Sequence, residues 1–240
     1  MTANHALIED VRARLAAEAD SERATGQQQY MKSELPYYGV TMPRTVAITK
    51  ELFRAHPIEG YDEWRDTVLA LFHEADRREL WYVAEQLAEW PAYREYARRL
   101  ESLDLYEVLI TEGAWWDIVD GVSAHLVGGL SETDPAWTAA RMREWSTDEH
   151  LWKRRTSIIC QLRRRSDVDL ELLYDCIEPN LGDRDFFIRK AIGWALREVA
   201  KTQPHEVIRY VREHRHALSA LSKREALKNV LKDGLVAEVP

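Results

Sequence analysis

Apolar residues recur along almost the whole chain at steps of three and four. Leu7, Val11, Leu15 and Ala16 repeat in this way, as do Trp64, Val68, Leu71 and Phe72, and then Leu80, Val83, Leu87 and Trp90. A period of 3.6 residues puts each set on one face of a helix, the face that turns inward. The runs are interrupted at Pro36, Pro43, Pro57, Gly60, Pro91, Gly128-Gly129, Pro135, Pro179 to Gly182 and Pro204. These breaks predict about a dozen helices of ordinary length with short connections. Ser131 to Pro135 and Thr147-Asp148 are predicted N-caps, because their short oxygen-bearing side chains accept the free amide protons of a first turn. No segment shows a convincing strand pattern, so the expected class is all-α.

Repetition decides between a bundle and a solenoid. Trp152-Lys153-Arg154-Arg155-Thr156 and Phe187-Ile188-Arg189-Lys190-Ala191 share one pattern: aromatic, variable, two cations, small residue. They stand 35 positions apart, a little short of the roughly 40–47 residues of HEAT and armadillo repeats. With the succession of helical hairpins, this favours an α-solenoid of HEAT-like repeats with a concave, basic face over an irregular bundle. One domain is expected over residues 1–240, with N-terminal helices over about 1–58 and a repeat array over about 59–232.

Composition narrows the picture. With 45% hydrophobic and 31% charged residues, the 240-residue chain can bury a sizeable core. Ten glycines and eight prolines are too few for a sandwich or barrel. The 33 basic residues stand against 41 acidic ones, for a net charge of −8. That balance excludes a uniformly basic nucleic-acid binder but leaves room for a basic face on an acidic body. Such a face is visible in Lys153, Arg154, Arg155, Arg163, Arg164 and Arg165, a stretch with no acid among them. Cys160 and Cys176 follow no zinc or disulfide spacing. The first residues lack the basic and apolar regions of a signal peptide, and no apolar run approaches the roughly 18 residues of a membrane span. A cytoplasmic monomer with no membrane association, no metal and no cofactor is expected.

Nine tryptophans are many for this length, and two stand where chemistry is possible. In the helix over about 185–201, Ile188, Ile192, Ala195 and Val199 share the core face. Trp194 lies off it, in a stripe with Phe187, Lys190, Arg197 and Lys201. An exposed indole among cations suits an anionic polymer; the alternative is an indole packed on the next repeat. In the helix over 115–127, Trp115, Val119, Val122 and Leu126 form the apolar face, while Trp116, Asp120 and Ser123 lie together on another. Asp117 reads as a carboxylate favoured by the helix dipole, and Asp120 either as the same or as a reactive group. Arg155 falls on the apolar face of its helix among Leu151, Ile158 and Leu162. A guanidinium there requires a partner, either an aspartate of a neighbouring repeat, Asp120 itself, or a phosphate. His214 and His216 read as a solvated basic tail. No GxGxxG, Walker, GxSxG or HExxH motif occurs, which leaves carboxylate chemistry beside indoles, near a basic groove.

These pieces, in this order, resemble the AlkD family of bacterial HEAT-like-repeat DNA glycosylases that remove alkylated purines. The resemblance rests on Gly113-Ala114-Trp115-Trp116-Asp117-Ile118-Val119-Asp120, on Trp152-Lys153-Arg154-Arg155, and most of all on Phe186-Phe187-Ile188-Arg189-Lys190-Ala191-Ile192-Gly193-Trp194-Ala195-Leu196-Arg197-Glu198. Leu221-Ser222-Lys223-Arg224-Glu225-Ala226 is similar to the family's C-terminal helix, and Tyr30-Met31-Lys32 with Tyr38-Gly39-Val40 to its N-terminal DNA-facing segment. The resemblance implies Asp120, Trp116 and Trp194 as the catalytic trio and Arg155 as active-site support. It implies Tyr30, Arg163 and Arg197 as residues near the DNA, and Lys32, Arg154 and Lys190 beside them are expected to bind it too. Val40-Thr41-Met42-Pro43 departs from the pattern, lacking a polar residue before the proline. The implied activity is hydrolysis of the N-glycosidic bond of cationic N3- or N7-alkylated purines in double-stranded DNA, without base flipping. Bulky adducts, met in self-resistance to DNA-alkylating natural products, fall within the family's range. The rival reading is a non-catalytic helical-repeat protein that binds DNA or other proteins.

Overall fold

The structure, a computed structural model, describes residues 2–239. Among these residues there are helices and connecting segments but no strand, as the apolar periodicity predicts. Two compact units divide at Leu105/Tyr106.

The first unit holds α1 (His5–Ala17), α2 (Ser21–Met31), α3 (Met42–Ala55), α4 (Tyr61–His73), α5 (Arg78–Ala88) and the single turn α6 (Arg94–Ala97); the division falls within α7 (Ser102–Gly113). Helix α1 packs on α3 and α4, and α5 on α3 and α4. The predicted apolar positions supply the core: Leu7, Val11, Leu15, Trp64, Val68, Leu71, Phe72, Leu80, Val83 and Leu87 are buried. Ala16 is exposed and Trp90, beyond the end of α5, only half-buried. A buried glutamate organises the loop after α2. Glu79 accepts the amide protons of Tyr38, Gly39 and Val40 at 3.0, 2.8 and 3.2 Å. Gly39 has φ +88°, and a Cβ there would lie 2.0 Å from the Asp20 carbonyl oxygen, so no other residue fits.

In the second unit, the end of α7 is followed by α8 (Trp116–Gly121), which runs into a π-helical turn (Val122–Val127) and then α9 (Gly128–Leu130). Next come α10 (Pro135–Trp145), α11 (Leu151–Ile159), α12 (Leu170–Ile177), α13 (Phe186–Ala200), α14 (Pro204–Glu213) and α15 (Ala220–Lys232). They stack in two rows. In one, α8 and the π turn lie on α11, α11 on α13, and α13 on α15. In the other, α10 lies on α12, and Tyr174 of α12 stacks on Tyr210 of α14 with ring centroids 4.2 Å apart. The polar bonds repeat with the rows. Ser123 bonds Thr156, Asn180 donates to the Ser146 carbonyl, and Ser222 to the Arg189 carbonyl, each across 33 or 34 positions. This is the stacking of an α-solenoid, one supersecondary unit laid on the next.

Two local expectations are corrected. Gly128-Gly129 do not break the helix; it continues to Leu130, and Gly128 is required because a Cβ would lie 2.1 Å from the Cys160 carbonyl oxygen at the end of α11. Nor does Thr147 or Asp148 cap α11. That helix begins at Leu151 with no side-chain cap, and Asp148 instead accepts the amide proton of His150 at 2.8 Å. The cap predicted within Ser131 to Pro135 is Asp134, which accepts from the Trp137 amide.

Candidate active site

Aromatic residues at the starts of three stacked helices build one wall. Trp115, Trp152 and Phe187 precede or open α8, α11 and α13; Trp152 and Phe187, the aromatics of the sequence repeat, pack with centroids 4.9 Å apart. Trp115 meets Phe187 at 5.3 Å. Trp115 is half-buried just ahead of α8 rather than within a longer helix, and the indole one position on, Trp116, is 36% exposed.

Asp120 lies one turn after Trp116, and Arg155 reaches it from the next helix of the row. The Arg155 side chain is 3% exposed. Its Nε and Nη2 donate to Asp120 Oδ1 and Oδ2 at 2.7 and 2.8 Å, and Nη1 donates to the Phe187 carbonyl oxygen at 2.6 Å. Arg155 thus has the partner its apolar position demands, and it ties α8, α11 and α13 together at one point. The Asp120 side chain keeps 18% of its surface in solvent. Burial pushes its carboxyl above the ordinary aspartate range, with Arg155 acting in the opposite sense. A carboxylate offers about four lone-pair sites. Arg155 takes one on each oxygen, which leaves one on each for a water or a cationic partner.

The π turn begins two residues after Asp120, where a single extra residue per turn shifts the register of the downstream positions. Ser123, predicted on the Asp120 face, is buried within it and bonded to Thr156 at 2.8 Å and to the Val119 carbonyl at 2.5 Å. Trp194, expected to be exposed, is half-buried. It lies on α13 two turns beyond Phe187, four residues after Lys190 and three before Arg197. The buried positions of α13 include the predicted Ile188, Ile192, Ala195 and Val199.

The cations differ in what they hold. Arg154 donates to Asp183 and to the carbonyls of Asp148 and Glu149 at 2.8–3.0 Å. Arg163 is exposed and bonds His125 Nε2 at 2.8 Å. It lines, with Arg164, Arg165 and Lys201, a cavity of about 830 Å³ between the C-terminal ends of α11 and α13. Lys190 and Arg197 both pair with Glu225 of α15. Burial disfavours that carboxylate, but the two cations outweigh it and hold Glu225 below the usual glutamate range. Glu225 is the residue that sequence reasoning left without a role; the available signal was Gly193, a glycine in mid-helix between the two cations. In the first unit, Tyr30 is 76% exposed at the end of α2, and Lys32 closes that helix in the left-handed region at φ 53°. Among the described residues, no three or more His, Cys, Asp or Glu side chains converge as a metal site, and no helix is long and apolar enough to cross a membrane. Both cysteines are buried, and burial pushes their thiols up, Cys176 to about 12.

The family described as DNA alkylation repair enzyme matches residues 11–230. A solved structure described as a predicted DNA alkylation repair enzyme from Enterococcus faecalis is 27% identical, with a TM-score of 0.80, over 89% of this chain and 97% of that one. No curated protein matches the chain.

Proposed function

The chain belongs to the DNA alkylation repair enzyme family, and from that premise we propose that it is a glycosylase releasing cationic N3- or N7-alkylpurines from duplex DNA. The observation that carries the reading is Asp120: a desolvated carboxylate held in a two-pronged grip by a buried arginine, one helical turn beyond an exposed indole.

The chemistry is set by the charge. An N-alkylated purine already bears the positive charge that a general acid would otherwise supply. When the bond from C1′ to the purine nitrogen breaks, its electron pair neutralises the base, and the cation passes to the sugar as an oxocarbenium ion. A fixed carboxylate stabilises that charge as it develops. Arg155 keeps Asp120 oriented, so no reorganisation is needed at that moment. The free lone pairs of Asp120 accept a proton of the water whose oxygen attacks C1′, and the products are a neutral free base and an abasic site. The Trp116 and Trp194 indoles offer π-faces to the electron-poor sugar. Arg163, Lys190 and Arg197 neutralise backbone phosphates, while Tyr30 and Lys32 contact the backbone from α2 and its cap. Arg154, held by Asp183 and two backbone carbonyls, presents its remaining donors to the same DNA backbone. The lesion remains stacked in the duplex, and the enzyme acts without a cofactor.

The test uses duplexes carrying a single 7-methylguanine or 3-methyladenine. Incubation with the protein, then alkali, is expected to cleave the modified strand at the lesion. Uncleaved strand at full duplex occupancy contradicts the reading and favours a protein that binds DNA without acting on it.

A further inference from the structure

The two cations that bracket Trp194 are joined by one carboxylate. Lys190 Nζ lies 2.7 Å from Glu225 Oε1, and the Arg197 guanidinium bonds Oε2 of the same side chain. Glu225 thus spans two cations seven residues apart on α13, about two helical turns. Its side chain is 17% exposed. The approach that allows this contact depends on a missing side chain. Gly193 lies between the cations, and a Cβ there would come within 2.5 Å of Glu225 Cβ and 2.8 Å of the Ser222 carbonyl oxygen. Ser222, one turn before Glu225, fixes the register by donating to the Arg189 carbonyl at 2.9 Å.

Two oxygens sharing one negative charge, each on a separate cation, is what a phosphodiester would offer the same pair. We propose that Glu225 is a resident phosphate mimic: it keeps Lys190 and Arg197 in a phosphate-binding geometry, and by competing with DNA phosphate it lowers the affinity for undamaged duplex. The inference rests on the duplex-DNA reading above. Lys190, Arg197 and Glu225 together carry one net positive charge where the two cations alone would carry two. A phosphate that binds there must displace the carboxylate, so part of its attraction is offset. Non-specific duplex affinity is almost wholly electrostatic and is the part a lesion-searching protein gains by shedding. A carboxylate that served only to pin α13 to α15 would have the opposite effect when removed, because a looser pair of helices holds the cations less well.

The experiment measures affinity for an undamaged duplex against salt concentration, for the wild type and for Glu225→Gln, which keeps shape and removes charge. Glu225→Gln is expected to bind about tenfold tighter at low salt. Its slope of log affinity against log salt should steepen by roughly one. In a Lys190→Met, Arg197→Met background the same change should alter neither quantity, since the cations through which it acts are gone. If Glu225→Gln unfolds below the assay temperature, Glu225→Met carries the test: it removes the same charge, and the same steepening of roughly one is expected. Weaker binding, or an unchanged slope, in a folded Glu225 variant overturns the proposal while leaving the glycosylase reading intact. A wild-type protein that binds no duplex at any salt overturns the duplex reading itself.

Discussion

Replacing Asp120 by asparagine separates the two roles of the carboxylate, in the fold and in the chemistry. Arg155 is 3% exposed and makes three hydrogen bonds, two of them to Asp120. Removing one partner of a buried ion pair typically costs about 3–5 kcal/mol, because the remaining charge is left uncompensated. Asparagine keeps one oxygen for the guanidinium, so the expected loss is near the lower end, about 3 kcal/mol. For a chain of this size that is a fall in Tm of roughly 6–12 °C. Adding Arg155→Met removes the orphaned charge and should restore most of that stability. Excision should nevertheless be abolished in both variants, since neither has a carboxylate beside the developing sugar cation, while duplex affinity changes little. Urea unfolding and single-turnover base release on the same preparations measure the two effects. A single variant as stable as wild type would refute the energetic coupling of Asp120 to Arg155. Near-full single-turnover release from it would remove Asp120 from the mechanism.

Four further outcomes are expected. Excision should fall on the acid side through a pKa above the ordinary aspartate value, because burial raises the Asp120 carboxyl and only its ionised form stabilises the sugar; a pH profile flat down to the ordinary aspartate range would contradict this. Trp194→Ala, at a half-buried site, should cost about 2 kcal/mol, between a core and a surface tryptophan. It should also slow excision, and Trp194→Phe should recover part of the rate; large destabilisation with an unimpaired rate in the folded fraction would make the indole structural. Arg163→Ala should weaken damaged and undamaged duplex alike and lower the salt slope by roughly one, and an unchanged slope would move Arg163 off the DNA. Gly193→Ala should destabilise by about 1–3 kcal/mol by wedging α13 from α15, and a thermal melt equal to wild type would show that the close approach is not needed.

Much of the site was legible because its residues broke local rules. Arg155 on an apolar helix face required an anionic partner, with an aspartate of a neighbouring repeat, Asp120 and a phosphate as the candidates; the structure pairs it with Asp120. The aromatics that marked the repeat, Trp152 and Phe187, meet in space. What stayed hidden depended on packing between helices. A 3.6-residue period cannot reveal the π turn after Asp120, since one extra residue barely disturbs the spacing of so short a segment. Gly128-Gly129 looked like punctuation, but the missing side chain of Gly128 admits the end of α11. Trp194 lay off the apolar stripe and was expected in solvent, yet it is half-buried, because helical phase measures angle from the core and not the cover given by adjacent helices. Glu225 carried no marker of its own in the sequence, because its pairing with Lys190 and Arg197 depends on how closely α15 approaches Gly193.

The central claim is that a bond between sugar and base is hydrolysed, and the released product reports on it most directly. A duplex with 7-methylguanine is incubated with excess protein, and the small molecules set free are identified by mass and counted against abasic sites in the strand. Intact 7-methylguanine, equimolar with abasic sites and absent when Asp120 is replaced, is the predicted result. Loss of the methyl group with guanine still in the strand, or no released base at full duplex occupancy, would contradict it.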